Sequence, residues 1–480
     1  MINLKKVNKS CVAAVILAMC LMTSGCGSQN YTTNNKNTNT TVTSSITAQD
    51  TNVTHADDAD NYKTEITGEF SITSTDGSTI TQNDSIYTIT QAGEYTVTGL
   101  LSEGQIVVNA DDNAEITIVL NGTSITCSNG SPIYIKNADN IKIKSEENTY
   151  NCIVDARAEA DDNSDNSSSE NGNAAIYAAC DLKLVGKGAL SVTGNYNNGI
   201  QSKDDISIKN VTIKVNAVNN AIKGNDEVAI ESGEIIAISR KGDGIKTSNS
   251  SLSNKGKQKG NVIISGGNID IYAACDGIDA AYGVDVSGDG NLNIYTDTYS
   301  NYSEAVAADN SGSSASSVGN PPDMNNSSSN PGMKGNFGGG NRAANGIPGN
   351  NSSGNSSKKS YSTKGIKADS EINISGTAIN ISSTDDGIHA NSDSGVLETG
   401  EDGKGIISIS GGTITISTGD DGIHTDKELN ITDGYINVLT SYEGLEAITI
   451  NISVDKALYM QLMMALMHVP EMAHLLLLLI

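Results

Sequence analysis

A chain of 480 residues with formal net charge -26, a pI near 4.4, no Trp and only two Phe repels nucleic acid and anionic lipid, and suits cation binding instead. No nucleic-acid partner is expected, and any flat aromatic stacking platform is limited to tyrosines, with Tyr272, Tyr282 and Tyr295 as candidates.

Residues 1–26 read as a signal peptide, because Lys5, Lys6 and Lys9 precede an apolar run from Cys11 to Met22 that ends in Thr23-Ser24-Gly25-Cys26. A small residue before Cys26 is what lipoprotein processing needs, so Cys26 is the expected lipidation site. Thr23 stands where such a box usually carries Leu, and simple secretion is the alternative. The expected product is an extracellular, membrane-anchored lipoprotein on the cell surface, monomeric beyond its lipid anchor. Residues 27–61 are Asn, Thr, Ser and Asp with hardly an apolar side chain, and predict a disordered tether. Beyond the leader, Cys127, Cys152, Cys180 and Cys275 form no CxxC pair, which argues against zinc or redox chemistry. Isolated buried thiols and a disulfide both stay open, the exported compartment permitting the latter.

From about Glu65 the chain changes to short alternating runs such as Ile116-Thr117-Ile118-Val119-Leu120, bounded by Asn and Gly, which predict strands and no long helix. A repeat organises them. Gly199-Ile200, Ala221-Ile222, Gly244-Ile245 and Gly277-Ile278 recur at spacings of 22, 23 and 33, and Gly365-Ile366, Gly387-Ile388, Gly422-Ile423 and Gly444-Leu445 at 22, 35 and 22. A unit of about 22 residues cannot bury its own apolar face, but stacked units bury a continuous one. Strand-turn-strand units without helix are similar to the parallel β-helix of pectate lyases, and the predicted fold is an all-β, right-handed parallel β-helix over residues 62–453. Less regular turns at Ile106, Ile133 and Ile176 put its start near residue 100, with the strands from Glu65 to Thr98 as an N-terminal cap. Residues 304–362, rich in Ser, Asn, Gly and Pro, read as one disordered excursion from a single turn.

Residues 454–480 look foreign to the repeat. They hold five of the ten Met and end in a Leu run too short to span a bilayer. Back-translating Met460 to His468 from the third base of each codon forces the pattern Ala, two variable residues, Asp, Gly, two variable residues, Ala, which is that of Ala273 to Ala280. The forced Gly falls about 21 residues after Gly444, where the next repeat is due. The segment is therefore expected to be a frameshifted tail, and a gene read in frame through codon 480 would dismiss that reading.

Stacking aligns two columns. Before the Gly stand Asn198, Asn220, Asp243, Asp276, Lys364, Asp386, Asp421 and Glu443, with Asp385 and Asp420 one place earlier. Turns about 4.8 Å apart would set like carboxylates against each other unless a cation sat between them. Calcium, which takes six to eight oxygens, is the expected cofactor, on Asp243, Asp276, Asp279, Asp385, Asp386, Asp420 and Asp421. The plainer alternative is that Asp-Gly merely makes turns. After the Ile stand Gln201, Lys223, Lys246, Asp279, Lys367, His389, His424 and Glu446. Lys223, Lys246, Lys367, His389 and His424, with Tyr272, are the candidates for contacting uronate carboxylates, the alternative being a solvated face. If the chain eliminates across a uronide, Lys246 and Lys367 are the positional candidates for the base.

The leader, the Thr/Asn tether, Asp-Asp-Gly-Ile-His-Ala at 385–390, Asp-Asp-Gly-Ile-His-Thr at 420–425 and Ser-Gly-Gly-Thr-Ile-Thr-Ile at 410–416 together resemble the carbohydrate-binding domain-containing proteins of anaerobic clostridia. That resemblance covers about residues 62–453 and implies a calcium-bound, polysaccharide-lyase-like parallel β-helix that binds cellulose and acidic, pectin-type sugars of the plant cell wall. It implies binding without established lytic activity. A pectate-type lyase and a purely structural stalk or adhesin are the alternatives.

Overall fold

Alternation of Ile, Leu or Val with polar residues sends every second side chain to one face of a strand, and the strands here are short because Asn and Gly interrupt them. The structure is a computed structural model that describes residues 53–160, 171–296, 362–392, 397, 399–453 and the backbone of 459–462. Among the described residues the chain is all-β, with the 3-10 turn Ala59–Tyr62 as its only helical element. The strands join one mixed sheet.

Between Ile133 and Ala390 the chain returns to the same parallel ladder at every third strand, so three ladders run side by side. In the first, Ile106, Ile133, Ile176, Ile200, Ile222, Ile245, Ile278, Ile366, Ile388 and Ile423 are successive register partners, followed by Leu445. All those isoleucines are fully buried. The second ladder aligns Ile206, Val228, Val262, Val284, Ile372, Ile407 and Leu429. The third aligns Ile213, Ile235, Ile269, Leu292, Ile379, Ile414 and Ile436. Their side chains form one continuous core, each buried Ile contributing roughly 1.5–3 kcal/mol against exposure.

The Gly of the repeat answers to close packing. A Cβ on Gly277 would collide with Ile294 Cγ2 of the third ladder and lie 2.6 Å from the carbonyl oxygen of Gly365. Gly365 faces Ile381 and Gly387 O in the same way, the latter at 2.5 Å. Those carbonyls accept from the Ile of the preceding turn: Ile278 N donates to Gly365 O and Ile366 N to Gly387 O, each at 3.0 Å.

At the N-terminal end, Ser71–Ser74 pairs antiparallel with Gly93–Leu101, and Thr81–Asn83 with Ile86–Ile89, before Ile86–Ile89 joins the first ladder beside Gln105–Asn109. These antiparallel pairs stand where cap strands were expected. The tether reading needs correction for residues 53–61. They lie across the third ladder: Asn293 Nδ2 donates to Thr54 O (2.9 Å), Ala56 N to Asp270 Oδ2 (3.2 Å) and Asp57 N to Glu234 Oε2 (2.9 Å), and Lys214 pairs with Asp58 (2.8 Å) and Asp60 (2.9 Å). Polarity removes a core but not hydrogen-bonding capacity, and a column of outward polar side chains supplies partners. Residues 1–52, including the leader and Cys26, the excursion up to 361, and residues 454–458 and 463–480 of the tail lie outside the described residues. The backbone of Tyr459–Leu462 pairs with Tyr435–Val438 on the third ladder. Cys127, Cys152, Cys180 and Cys275 are all free thiols.

The second ladder carries an outward column in which Asp205 partners Glu227, with Asp181 at the equivalent place one turn earlier. Burial, then the charges of Asp181 and Glu227, push the Asp205 carboxyl up to about 6. A folded-state value above the unfolded one contributes stability that is complete below about pH 4 and is lost as pH rises through about 6. In chelator, the wild type is expected to lose thermal stability between pH 4.5 and pH 6.5 and Asp205→Asn to lose less; equal slopes would refute the assignment.

Candidate functional site

The position before the repeat Gly forms a hydrogen-bonded ladder of its own. Asn198 Oδ1 accepts from Asn220 N, Asn220 Oδ1 from Asp243 N, and Asp243 Oδ1 from Asp276 N, each at 3.1 Å. Asp276 Oδ1 accepts from Lys364 N (2.8 Å), and further on Asp386 Oδ1 from Asp421 N (3.2 Å) and Asp421 Oδ1 from Glu443 N (2.9 Å). Lys364 has no oxygen to offer, and Asp386 N turns to Asp385 Oδ1 at 3.0 Å. Asn serves this backbone role as well as Asp does. What Asp adds is a second, charged oxygen.

That oxygen faces the column after the Ile, where Gln201, Lys223, Lys246, Asp279, Lys367, His389, His424 and Glu446 are register partners. The expectation of a separate acidic and basic column is corrected here, because the two interlock. Lys246 Nζ pairs with Asp243 Oδ2 at 2.8 Å and with Asp279, and Lys367 Nζ lies 3.0 Å from Asp279 Oδ1 and 4.0 Å from Asp276 Oδ2. Ser362 Oγ donates to Asp276 Oδ1 at 2.7 Å. Burial opposes charge on both lysines, but Asp243 and Asp279 at Lys246, and Asp279 and Asp369 at Lys367, outweigh it and raise their pKa. A general base must release its proton near the working pH. Lys246 and Lys367 are held in the opposite state. Burial, then its neighbour Lys246, lower Lys223.

Further on, Asp385, Asp386 and Asp420 offer oxygens within 4.8 Å of one another, as do Asp243, Asp276 and Asp279. The two groups differ in compensation. Asp243, Asp276 and Asp279 meet two ammonium groups, and burial with the charges of Asp279 and Asp243 pushes Asp276 up to about 6. Asp385, Asp386, Asp420 and Asp421 meet one, Lys364 Nζ, at 2.9 Å from Asp385 Oδ1 and 2.6 Å from Asp386 Oδ2. Burial, then Asp421 and Asp386, raise Asp420. An all-oxygen cluster with surplus negative charge fits calcium, so the second group fits it better than the first, where lysines already supply the counter-charge.

His389 is buried and its Nδ1 lies 2.5 Å from Asp386 Oδ2; its ring centroid is 4.2 Å from that of His424. Tyr272 does not join this column. It sits on the third ladder, stacked on Tyr295 with centroids 5.1 Å apart and planes at 16°, while Lys404 Nζ lies 5.6 Å from the Tyr282 ring. Lys364 and Asp426 belong to the site although neither was singled out from the sequence. The signal for Lys364 was there: a basic residue in an otherwise Asn, Asp and Glu column.

The model of the family described as carbohydrate-binding domain-containing protein matches residues 83–401 and 396–457. The chain belongs to this family. Another carbohydrate-binding domain-containing protein, from Acetivibrio thermocellus, is 39% identical over 129 residues, which cover 26% of this chain and 44% of that relative. The match thus spans less than half of the relative's length. The chain is also similar to the structure of the polysaccharide lyase-like protein from C. thermocellum, gadolinium derivative, with 36% identity and a TM-score of 0.40 over 44% of this chain and 83% of that one. Family membership supports carbohydrate binding as the general function of the domain.

Proposed function

We propose that the chain is a non-catalytic, cell-surface module that binds acidic, pectin-type sugars and cellulose of the plant cell wall through a calcium-stabilised, right-handed parallel β-helix. Three parallel ladders revisited at every third strand support the β-helix, and the strong preference of parallel crossovers for the right hand supports its sense. The signal peptide and Cys26 support export and lipid anchoring, with the β-helix carrying its own cap and the long excursion of residues 304–362.

One observation carries the binding reading over a lyase reading: the two lysines that the sequence offered as the base, Lys246 and Lys367, are ion-paired to Asp243 and Asp279. Such lysines keep their protons and serve to fix charge. Within the family reading, the column of Lys246, Asp279, Lys367, His389 and His424 forms a mixed-charge strip across successive turns, suited to uronate carboxylates either directly or through calcium bound at Asp385, Asp386 and Asp420.

The mature chain is expected to be retained on polygalacturonate in calcium and to be released by chelator, with no rise in the ultraviolet absorbance of unsaturated product. Retention unaffected by chelator would remove calcium from the mechanism. Accumulation of unsaturated product, lost in Lys246→Ala or Lys367→Ala, would replace binding with elimination.

A further inference from the structure

We propose that Lys223 and Gln201 form a subsite for the carboxylate of an acidic sugar, on the turns of the first ladder just before the mixed-charge strip. The inference rests on the polysaccharide reading above and narrows it: direct contact with the sugar carboxylate falls to the one cation of this column that the chain itself leaves unmatched.

The reason lies in the position before the repeat Gly. In the turn of Lys246 that position is Asp243, whose second oxygen pairs with Lys246 Nζ three residues on, at 2.8 Å. In the turn of Lys223 it is Asn220. Asn220 Oδ1 accepts from Asp243 N and its Nδ2 donates to Asn198 Oδ1 at 3.0 Å, so residue 220 keeps the backbone role and brings no charge. The register partners of Lys223 are Gln201 and Lys246. The first is neutral, and the second is a cation already shared between Asp243 and Asp279. The next acids along the chain, Asp226 and Glu227, are taken by Lys259 at 2.5 Å and Lys257 at 2.9 Å. Among the described residues Lys223 Nζ therefore has no ion pair, although the residue is half-buried. Burial and the charge of Lys246 both work against it. A half-buried cation without a counter-charge is costly until an anion meets it.

Gln201 supplies a second donor, and obligate partners fix which way its amide faces. Asn220 N can only donate, so Asn198 presents Oδ1 to it at 3.1 Å. Asn198 Nδ2 then donates to Gln201 Oε1 at 2.9 Å. That leaves the Nε2 hydrogens of Gln201 without an acceptor among the described residues. Two unmatched donors, one of them charged, thus stand on adjacent turns about 4.8 Å apart at the backbone. A carboxylate answers both, with two accepting oxygens and one negative charge. A neutral hydroxyl leaves the charge unmet. At Lys246, Lys367 and Lys364 a sugar carboxylate would first have to displace Asp243, Asp279, Asp385 or Asp386.

The test is calorimetric titration of the mature chain with oligomers of polygalacturonate in Ca²⁺. Lys223→Met is expected to weaken binding roughly 10- to 100-fold and to unfold at or above the wild-type temperature, because it keeps the stem and removes an unmatched charge. Lys223→Arg is expected to retain most of the affinity. Asn220→Asp gives residue 220 the charged oxygen that Asp243 has, and is expected to capture Lys223 and cost the same factor with the lysine still in place. Methyl-esterified oligomers, which lack the charge, are expected to bind wild type no better than the acid form binds Lys223→Met. Lys209→Met, at an exposed lysine paired with Glu231, is expected to bind as wild type. Wild-type affinity in a folded Lys223→Met chain would overturn the subsite and leave the polysaccharide reading standing. Failure of wild type to bind any oligomer would overturn both.

Discussion

Gly277→Ala is expected to destabilise the chain by about 3 kcal/mol, the upper end for overpacking, and Gly283→Ala by far less. The difference is one of surroundings. A methyl group at 277 has to fit between Ile294 Cγ2 on the third ladder and Gly365 O, 2.6 Å away on the next turn. Neither neighbour is the loose end of a flexible side chain. Gly365 O also accepts from Ile278 N at 3.0 Å, so moving the carbonyl aside weakens the ladder it belongs to. At Gly283, on the second ladder, the nearest atom is Asn261 Oδ1 at 3.1 Å, which can swing away. Because stacked repeats couple mainly to their neighbours, the damage is expected to centre on the turns around 245, 278 and 366. Thermal and urea midpoints compare the two variants, and hydrogen exchange at Ile245, Ile278 and Ile366 localises the effect. Equal midpoints would mean that the repeat Gly is a turn residue only.

How far the sequence could reach follows from the same turn. A period of about 22 residues with an invariantly placed apolar residue predicts which side chains share a column, and the observed register from Ile200 to Leu445 follows those columns residue for residue. Even the irregular turns at Ile106, Ile133 and Ile176 fall in line. Periodicity says nothing about how far a long side chain leans sideways. Lys246 reaches from its own column to Asp243 three residues back, and Lys364, alone among carboxylates and amides, turns towards Asp385 and Asp386 one turn on. The packing of residues 53–61 was invisible for another reason. Its partners Lys214, Glu234, Asp270 and Asn293 lie between 156 and 239 residues away, and residues 53–61 carry no repeat of their own to betray the contact.

Lys364→Met carries the second large expectation: a loss of roughly 3–5 kcal/mol in chelator, recovered in large part by excess Ca²⁺. Among the described residues Lys364 is the one ammonium reaching Asp385 and Asp386, and the side chains of Lys364 and Asp386 are only 14% and 3% exposed. Removing it leaves a buried carboxylate beside Asp385, Asp420 and Asp421 with two imidazoles and no fixed cation. Met matches the stem of Lys in size, so the loss reports charge and not a cavity. A protein that takes calcium on Asp385, Asp386 and Asp420 has a second way to supply the missing positive charge, and the variant should therefore depend on calcium more steeply than wild type. The same substitution at Lys246 is expected to gain less from calcium, because Lys367 remains 3.0 Å from Asp279 to share the charge. Denaturation of both variants with and without Ca²⁺ separates the possibilities. An equal loss at Lys364 in both conditions would place calcium elsewhere or nowhere, and no loss at all would make the ion pair a surface ornament despite its burial.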